Sequence, residues 1–340
     1  MIIKLKSFIR RTAWNALLLC VFPISTSCDN LDSVISEDEV KIAIDQFNTL
    51  YKDTQNAEAF LFFSDPHLLS GENRFTPATK QHLDNSFGLA KELYDVLPLS
   101  FCLCGGDWLN QRDTQDMAKE KLLYADRLMK SKFGRYYKMM GNHDTNYQGY
   151  VSTDNDQRGD LPREFIDNEY FSDTGSAYYA FDGVNTRFYI LDSGLDWNIA
   201  MDDYRWEQIL WLAEQLEVTE LEHIVIGIHI FYYIEEKIAP MSELIVRLCD
   251  AYNSKLTITL KEREFDYTMA KGKIHFILSG HNHRDGLNHE GQKADLPVIQ
   301  ICNYTINESQ SFDLCLIDYD KGFFYMIRVG EGENRCVKMN

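Results

Sequence analysis

The chain has 340 residues, enough for one large α/β domain or two modest ones. With 45% hydrophobic and 25% charged residues, its composition is that of an ordinary soluble globular protein. Its 34 basic and 52 acidic residues leave a net charge of −18, a surface that repels polyanions and disfavours nucleic acid as a partner.

Lys4, Lys6, Arg10 and Arg11 form a basic start, and an apolar stretch follows from Ala16 to Ile24. Ser25, Thr26 and Ser27 then lead to Cys28. Basic region, short apolar core and small residues make a secretory signal peptide over 1–27. The apolar stretch falls short of the ~20 residues that a membrane-spanning helix needs. Ser-Thr-Ser-Cys resembles the lipobox of bacterial lipoproteins, with Ser25 where Leu is usual. The expectation is an exported protein, periplasmic or at the cell surface, held to the membrane by lipid on Cys28. Six cysteines remain beyond it, namely Cys102, Cys104, Cys249, Cys302, Cys315 and Cys336. Cys102, Cys104 and Cys315 sit in apolar, strand-like runs, which reads as buried free thiols. No Cys-x-x-Cys pair is present to suggest a structural zinc site.

Residues 28–55 read as an acidic tether followed by a helix. Ser36 is placed to cap that helix, with Glu37, Asp38 and Glu39 in its first turn. Val40, Ala43, Ile44, Phe47 and Tyr51 recur at helical spacing and give it one apolar face. From there to residue 340 the sequence shows no second domain. Strand-length apolar runs occur at Ala59–Phe63, Leu99–Leu103, Tyr136–Met140, Ile224–Ile228 and Ile274–Leu278. Helical segments at Thr79–Val96, Asp116–Lys130 and Asp203–Glu217 separate them, which predicts an α/β fold. The polar stretch Gly149–Thr174 reads as a loop or insertion. Ala177–Phe181 and Arg187–Leu191 read as a hairpin, and Asp313–Asp318 and Phe323–Val329 as further strands.

Each of the five apolar runs stops in a polar cluster. These are Asp65-Pro66-His67, Gly106-Asp107-Trp108-Leu109-Asn110, Gly141-Asn142-His143-Asp144, His229, and Gly280-His281-Asn282-His283. In α/β sheets, ligands gather beyond the carboxyl ends of strands, so these clusters converge on one cleft. Five of the nine histidines fall inside them. Carboxylates and imidazoles without thiolate suit Mn, Fe or Zn. Two such cations about 3.5–4 Å apart can share one carboxylate and a hydroxide that attacks phosphorus. Singly, Asp-x-His or Gly-Asp after a strand is an ordinary turn, and a lone His229 is an ordinary buried histidine. The order and spacing of the whole set carry the inference.

The set resembles the calcineurin-like metallophosphoesterase superfamily, from about Ala59 to His283, with a tail compatible through Val329. The resemblance implies a four-layer sandwich of two mixed β-sheets flanked by helices, with the catalytic domain spanning 56–340. It also implies one metal on Asp65, His67 and His283, a second on Asn142, His229 and His281, and Asp107 bridging them. His143 would stand beside the phosphate or leaving group rather than bind metal. Asn110 occupies the place where purple acid phosphatases carry a tyrosine, which argues against a ferric tyrosinate centre. Gly106 to Arg112 and Asp144 depart from the Ser/Thr protein phosphatase motifs. The activity implied is hydrolysis of a phosphate mono- or diester by a metal-bridging hydroxide, acting on a small phosphorylated substrate. Asn110, Arg112 and Arg284 are weaker candidates for phosphate contacts, and Trp108, Tyr232 and Tyr233 for stacking on a base or sugar. Two other readings are a surface-anchored binding protein that keeps the metal site, and an extracellular nuclease.

Overall fold

Each of the five apolar runs overlaps a strand. The computed structural model describes residues 36–68, 77–110, 113–146, 160–194, 200–234, 237–283, 286–287, 298–300, 311–330 and 332–339. The expected signal segment, Cys28, Arg112, Arg284 and Cys302 lie outside the described residues. The helices are α1 (Glu37–Lys52), α2 (Pro77–Val96), α3 (Gln115–Lys132), α4 (Asp203–Val218) and α5 (Pro240–Asn253). In chain order the strands are β1 (Ala57–Phe63), β2 (Cys102–Cys104), β3 (Tyr136–Lys138), β4 (Tyr179–Asp182), β5 (Thr186–Leu191), β6 (His223–Ile228), β7 (Tyr233–Ile234), β8 (Lys237–Ile238), β9 (Thr257–Leu260), β10 (Arg263–Asp266), β11 (Lys273–Ser279), β12 (Gly286–Leu287), β13 (Val298–Gln300), β14 (Phe312–Asp318), β15 (Phe323–Val329) and β16 (Arg335–Lys338).

One sheet has the order β16-β15-β14-β1-β2-β3 and the other β12-β13-β11-β6-β5-β4. Both are mixed. β1, β2 and β3 are parallel, while β14 pairs antiparallel with β1. β5, β6, β11 and β13 are parallel, and β4 and β12 join their edges antiparallel. The central strands are mostly apolar and buried because both of their faces are covered. Between the sheets, Phe60 stacks on Phe101 at 4.9 Å and meets Phe188 edge-on at 5.7 Å, and Phe276 stacks on Phe324 at 4.6 Å. Such pairs add ~0.5–1.5 kcal/mol each beyond their buried area.

Helices α1, α2 and α3 bury their apolar stripes with the first sheet, and α4 and α5 with the second. Ser36 caps α1 as its spacing predicts. Its Oγ accepts from Glu39 N at 3.2 Å, and its own N–H donates to Glu39 Oε2 at 2.7 Å. Val40, Ala43, Ile44 and Phe47 form the buried face.

Several elements differ from the sequence expectation. Residues 160–174, expected as loop, contain a helical turn at Arg163–Phe165 that continues through Ile166–Tyr170; residues 147–159 lie outside the described residues. Phe165, Ile166 and Tyr170 are buried there, too short a stripe to announce a helix in sequence. Helix α5 was not among the expected helices. Pro240 at its start, with Leu244, Ile245, Leu248 and Tyr252 buried, is its signature. Cys102, Cys104, Cys249 and Cys315 are buried free thiols, and Cys336 is exposed.

Candidate metal centre

The carboxyl ends of β1, β2, β3, β6 and β11 open at one end of the sandwich. Nine described non-glycine residues have positive φ, and five of them are Asp65 (56°), His67 (41°), Asp107 (60°), His281 (80°) and His283 (50°). Each left-handed turn costs ~1–3 kcal/mol, and such strain concentrates where surrounding contacts over-determine the backbone. Here the contacts are visible. Asp65 N donates to Gly106 O at 2.9 Å, and His67 N to Asp107 O at 3.0 Å, so the first two motif loops run on as a ladder. Gly141 and Gly280 allow the loops to close. A Cβ on Gly141 would lie 2.1 Å from Asp107 Oδ1, and one on Gly280 would lie 2.1 Å from Ser64 Oγ.

All seven residues expected to hold metal are gathered here. Asp65, His67, Asp107 and His283 present donor atoms that lie within 4.8 Å of one another. Asp107, His229 and His281 do the same, so Asp107 belongs to both groups. Asn142 Oδ1 lies 3.2 Å from His229 Nε2 and 3.0 Å from His281 Nδ1, which places it with the second group. His67 Nε2 and His283 Nε2 face each other at 2.8 Å. His143 stands beside both groups, its Nε2 4.0 Å from Asp107 Oδ2.

The candidate ligand side chains are held from behind. His229 Nδ1 meets Gly105 O at 2.7 Å and His67 Nδ1 meets Leu109 O at 2.9 Å, which turns both Nε2 atoms toward the cleft. Ser64 Oγ and the His281 N–H donate to the Asp65 carboxylate at 2.5 and 3.0 Å. The His143 N–H donates to Asp107 Oδ1 at 2.8 Å. That leaves Asp107 Oδ2, fully buried and with no aligned hydrogen-bond donor among the described residues. His229 Nε2 stands 3.0 Å from it.

The charges fit a cation. Burial opposes ionisation of Asp65 and Asp107, but the neighbouring imidazoles hold both carboxyls below their ordinary range. Burial likewise opposes charge on His229, yet Asp107 lifts it to about 10. His281 goes the other way, pushed to about 4 by burial and by His229. The carboxylates favour positive charge here, and a divalent ion binding through the His229 imidazole would require that ring to be unprotonated at the donor nitrogen. Carboxylate, imidazole and one amide oxygen suit Mn, Fe or Zn.

The surrounding expectations fare differently. Asn110 is exposed, directly after Leu109. Arg112 and Arg284 fall outside the described residues, as noted. Trp108 cannot stack on a substrate. It is fully buried and packs against Phe63 and Phe87 with ring centroids at 5.5 and 5.9 Å. A strand-end tryptophan points into the core when the strand beneath it is covered on both faces.

Asp144 accepts hydrogen bonds from two of the motif loops. Its Oδ2 accepts from Asp107 N at 2.9 Å and Gly141 N at 3.0 Å, and its Oδ1 from Leu109 N at 3.0 Å. One buried carboxylate ties the second and third motif loops together. Burial and the nearby Asp107 charge push it up to about 7 despite those donors.

Residues 59–285 match the calcineurin-like phosphoesterase family, and the chain belongs to it. It is a metal-dependent phosphoesterase. The fold is similar to that of a dimetal phosphatase from Danio rerio, at 14% identity and a TM-score of 0.53, over 83% of this chain and 99% of that one. A purple acid phosphatase from yellow lupin (Lupinus luteus) seeds aligns at 11% identity and a TM-score of 0.49, over 84% of this chain and 54% of that one. No curated protein matches the sequence closely enough to count as a relative.

Proposed function

We propose that this protein is a dinuclear hydrolase of phosphate mono- or diesters that works outside the cytoplasm. One observation carries the reading: two donor groups share Asp107, whose buried Oδ2 has no aligned hydrogen-bond donor among the described residues. In this proposal Asp65, His67 and His283 hold one cation, Asn142, His229 and His281 the other, and Asp107 bridges them. Bound Mn, Fe or Zn supplies Lewis acidity toward phosphoryl oxygens and lowers the pKa of water. The chain's own part is to fix the donors in place and to meet the substrate with His143. Burial holds the His143 pKa below its ordinary value, so at neutral pH the ring is neutral and offers an N–H to the phosphate or the leaving oxygen. Its backbone is tied to Asp107 Oδ1, so the ring keeps a set position relative to the shared carboxylate.

The net charge of −18 favours a small phosphorylated substrate over a polynucleotide. Export and a lipid anchor on Cys28 complete the proposal. They rest on the basic, apolar and small-residue order of the first 28 residues. The test is a metal-reconstituted screen of phosphomonoesters, diesters, nucleotides and phospholipid headgroups. Asp107→Asn is expected to lose turnover and both cations together, and full turnover in that variant overturns the reading. His143→Ala is expected to slow turnover with both cations retained; loss of metal would make it a ligand instead. Mass spectrometry of the mature N-terminus tests the anchor, and an unmodified Cys28 removes it.

A further inference from the structure

The His281–His283 turn supplies one imidazole to each donor group, and both residues adopt left-handed backbone, with φ of 80° and 50°. Between them lies Asn282, whose N–H donates to Gly280 O at 3.0 Å. Its side chain faces another loop. Tyr232 Oη donates to Asn282 Oδ1 at 2.7 Å, and the Tyr232 ring meets the His281 ring edge-on at 5.8 Å.

Tyr232 is itself well anchored. Its N–H donates to Ser242 Oγ at 3.1 Å, and its carbonyl accepts from Ala239 N at 2.9 Å. Ser242 belongs to the first turn of α5 and is buried. The same loop carries His229. The link therefore connects the loop of one second-group ligand to the turn that bears both His281 and His283. It adds to the bond between the His281 N–H and the Asp65 carboxylate, which fixes the same turn from the opposite motif.

We propose that Tyr232 is a positioning residue, which acts through Asn282 to fix the turn from which His281 and His283 enter the two halves of the metal centre. The proposal rests on the dinuclear reading above. It has a distinctive consequence. Loosening a single hydrogen bond weakens both cation sites together, because the turn serves one ligand to each. Hydrogen bonds behind metal ligands typically govern 10–100-fold in metal affinity, so an effect of about that size is expected for both cations.

The experiment is equilibrium dialysis of the chelator-stripped protein against Mn2+, with Co2+ absorption spectra as a report on ligand geometry. Tyr232→Phe removes only the hydroxyl and keeps the ring. It is expected to weaken both Mn2+ equivalents and to change the Co2+ spectrum. Asn282→Ala is expected to do the same. Combining the two is expected to give less than the sum of the single effects, because both variants break the same Tyr232–Asn282 bond. Asn282→Asp keeps an acceptor for Tyr232 and is expected to retain Mn2+ affinity near wild type. Unchanged affinity and spectrum in Tyr232→Phe overturn the proposal. Weakening of one cation alone overturns it too, as does a fall in turnover with intact metal binding, which would assign Tyr232 to the substrate. If the wild-type protein takes up no Mn2+ or Co2+, the dinuclear reading itself fails. Normal wild-type uptake with an unaffected variant removes only the brace.

Discussion

Replacing Asp144 by Asn changes one oxygen to an NH2 group in a fully buried site. Three backbone N–H groups point at that carboxylate, two at Oδ2 and one at Oδ1. The less costly orientation keeps the amide oxygen opposite Asp107 N and Gly141 N. Its NH2 then faces the Leu109 N–H, donor against donor. One buried N–H loses its acceptor, at ~1–3 kcal/mol. Removing a negative charge next to Asp107 returns part of that sum, so the lower half of the range is expected. Asp144→Ala strands all three donors and is expected to cost more. Equilibrium urea unfolding of the metal-free protein reads the difference by linear extrapolation, with chelator present so that cation binding does not mask it. Asp107 lies at one of the three contacts, so metal-loaded turnover is expected to fall in parallel. An Asp144→Asn protein as stable and as active as wild type would refute the idea that this carboxylate ties the loops together.

Gly141→Ala places a Cβ 2.1 Å from Asp107 Oδ1, and loss of metal-dependent turnover is expected with the overall fold retained by circular dichroism; normal turnover would show that the loops separate freely. Glu58 lies at the start of β1, and burial raises its carboxyl above its ordinary 4.5. Its Oε2 accepts from the backbone N–H groups of Val184 and Asn185. A raised folded-state value means that the folded state favours the protonated form. The associated stability is complete below the ordinary value and is lost as pH rises through the raised one. Glu58→Gln keeps an oxygen for both donors without the charge, so its stability relative to wild type is expected to improve as pH rises above the ordinary 4.5. A pH-independent difference in urea unfolding counts against this. Chelation is expected to abolish phosphoesterase activity and added Mn, Fe or Zn to restore it; activity that persists after verified metal removal would exclude a metal role.

The chemistry of this protein is readable in its sequence because it is local. A strand ends, a glycine lets the next loop close in, and a short side chain with oxygen or imidazole nitrogen follows. Asp107, Asn142 and His281 obey that pattern in full, while Asp65 and His229 follow their strands without a glycine, and adjacent residues suffice to display it. The α/β class follows for the same reason, from apolar runs of strand length separated by helical periodicity. Contacts between distant residues decided the rest. Trp108 looked available at a strand end, but Phe63 and Phe87 enclose it. The sharing of Asp107 between two donor groups depends on loops from both sheets meeting at one end. The Tyr232–Asn282 bond joins residues 50 positions apart and has no signature in either segment. The pairing of β14 with β1 likewise joins the two ends of the domain, and no periodicity within either strand announces its partner. Sequence spacing thus determined which side chains could carry the chemistry, while tertiary packing decided which of their donor atoms lie together and what holds them there.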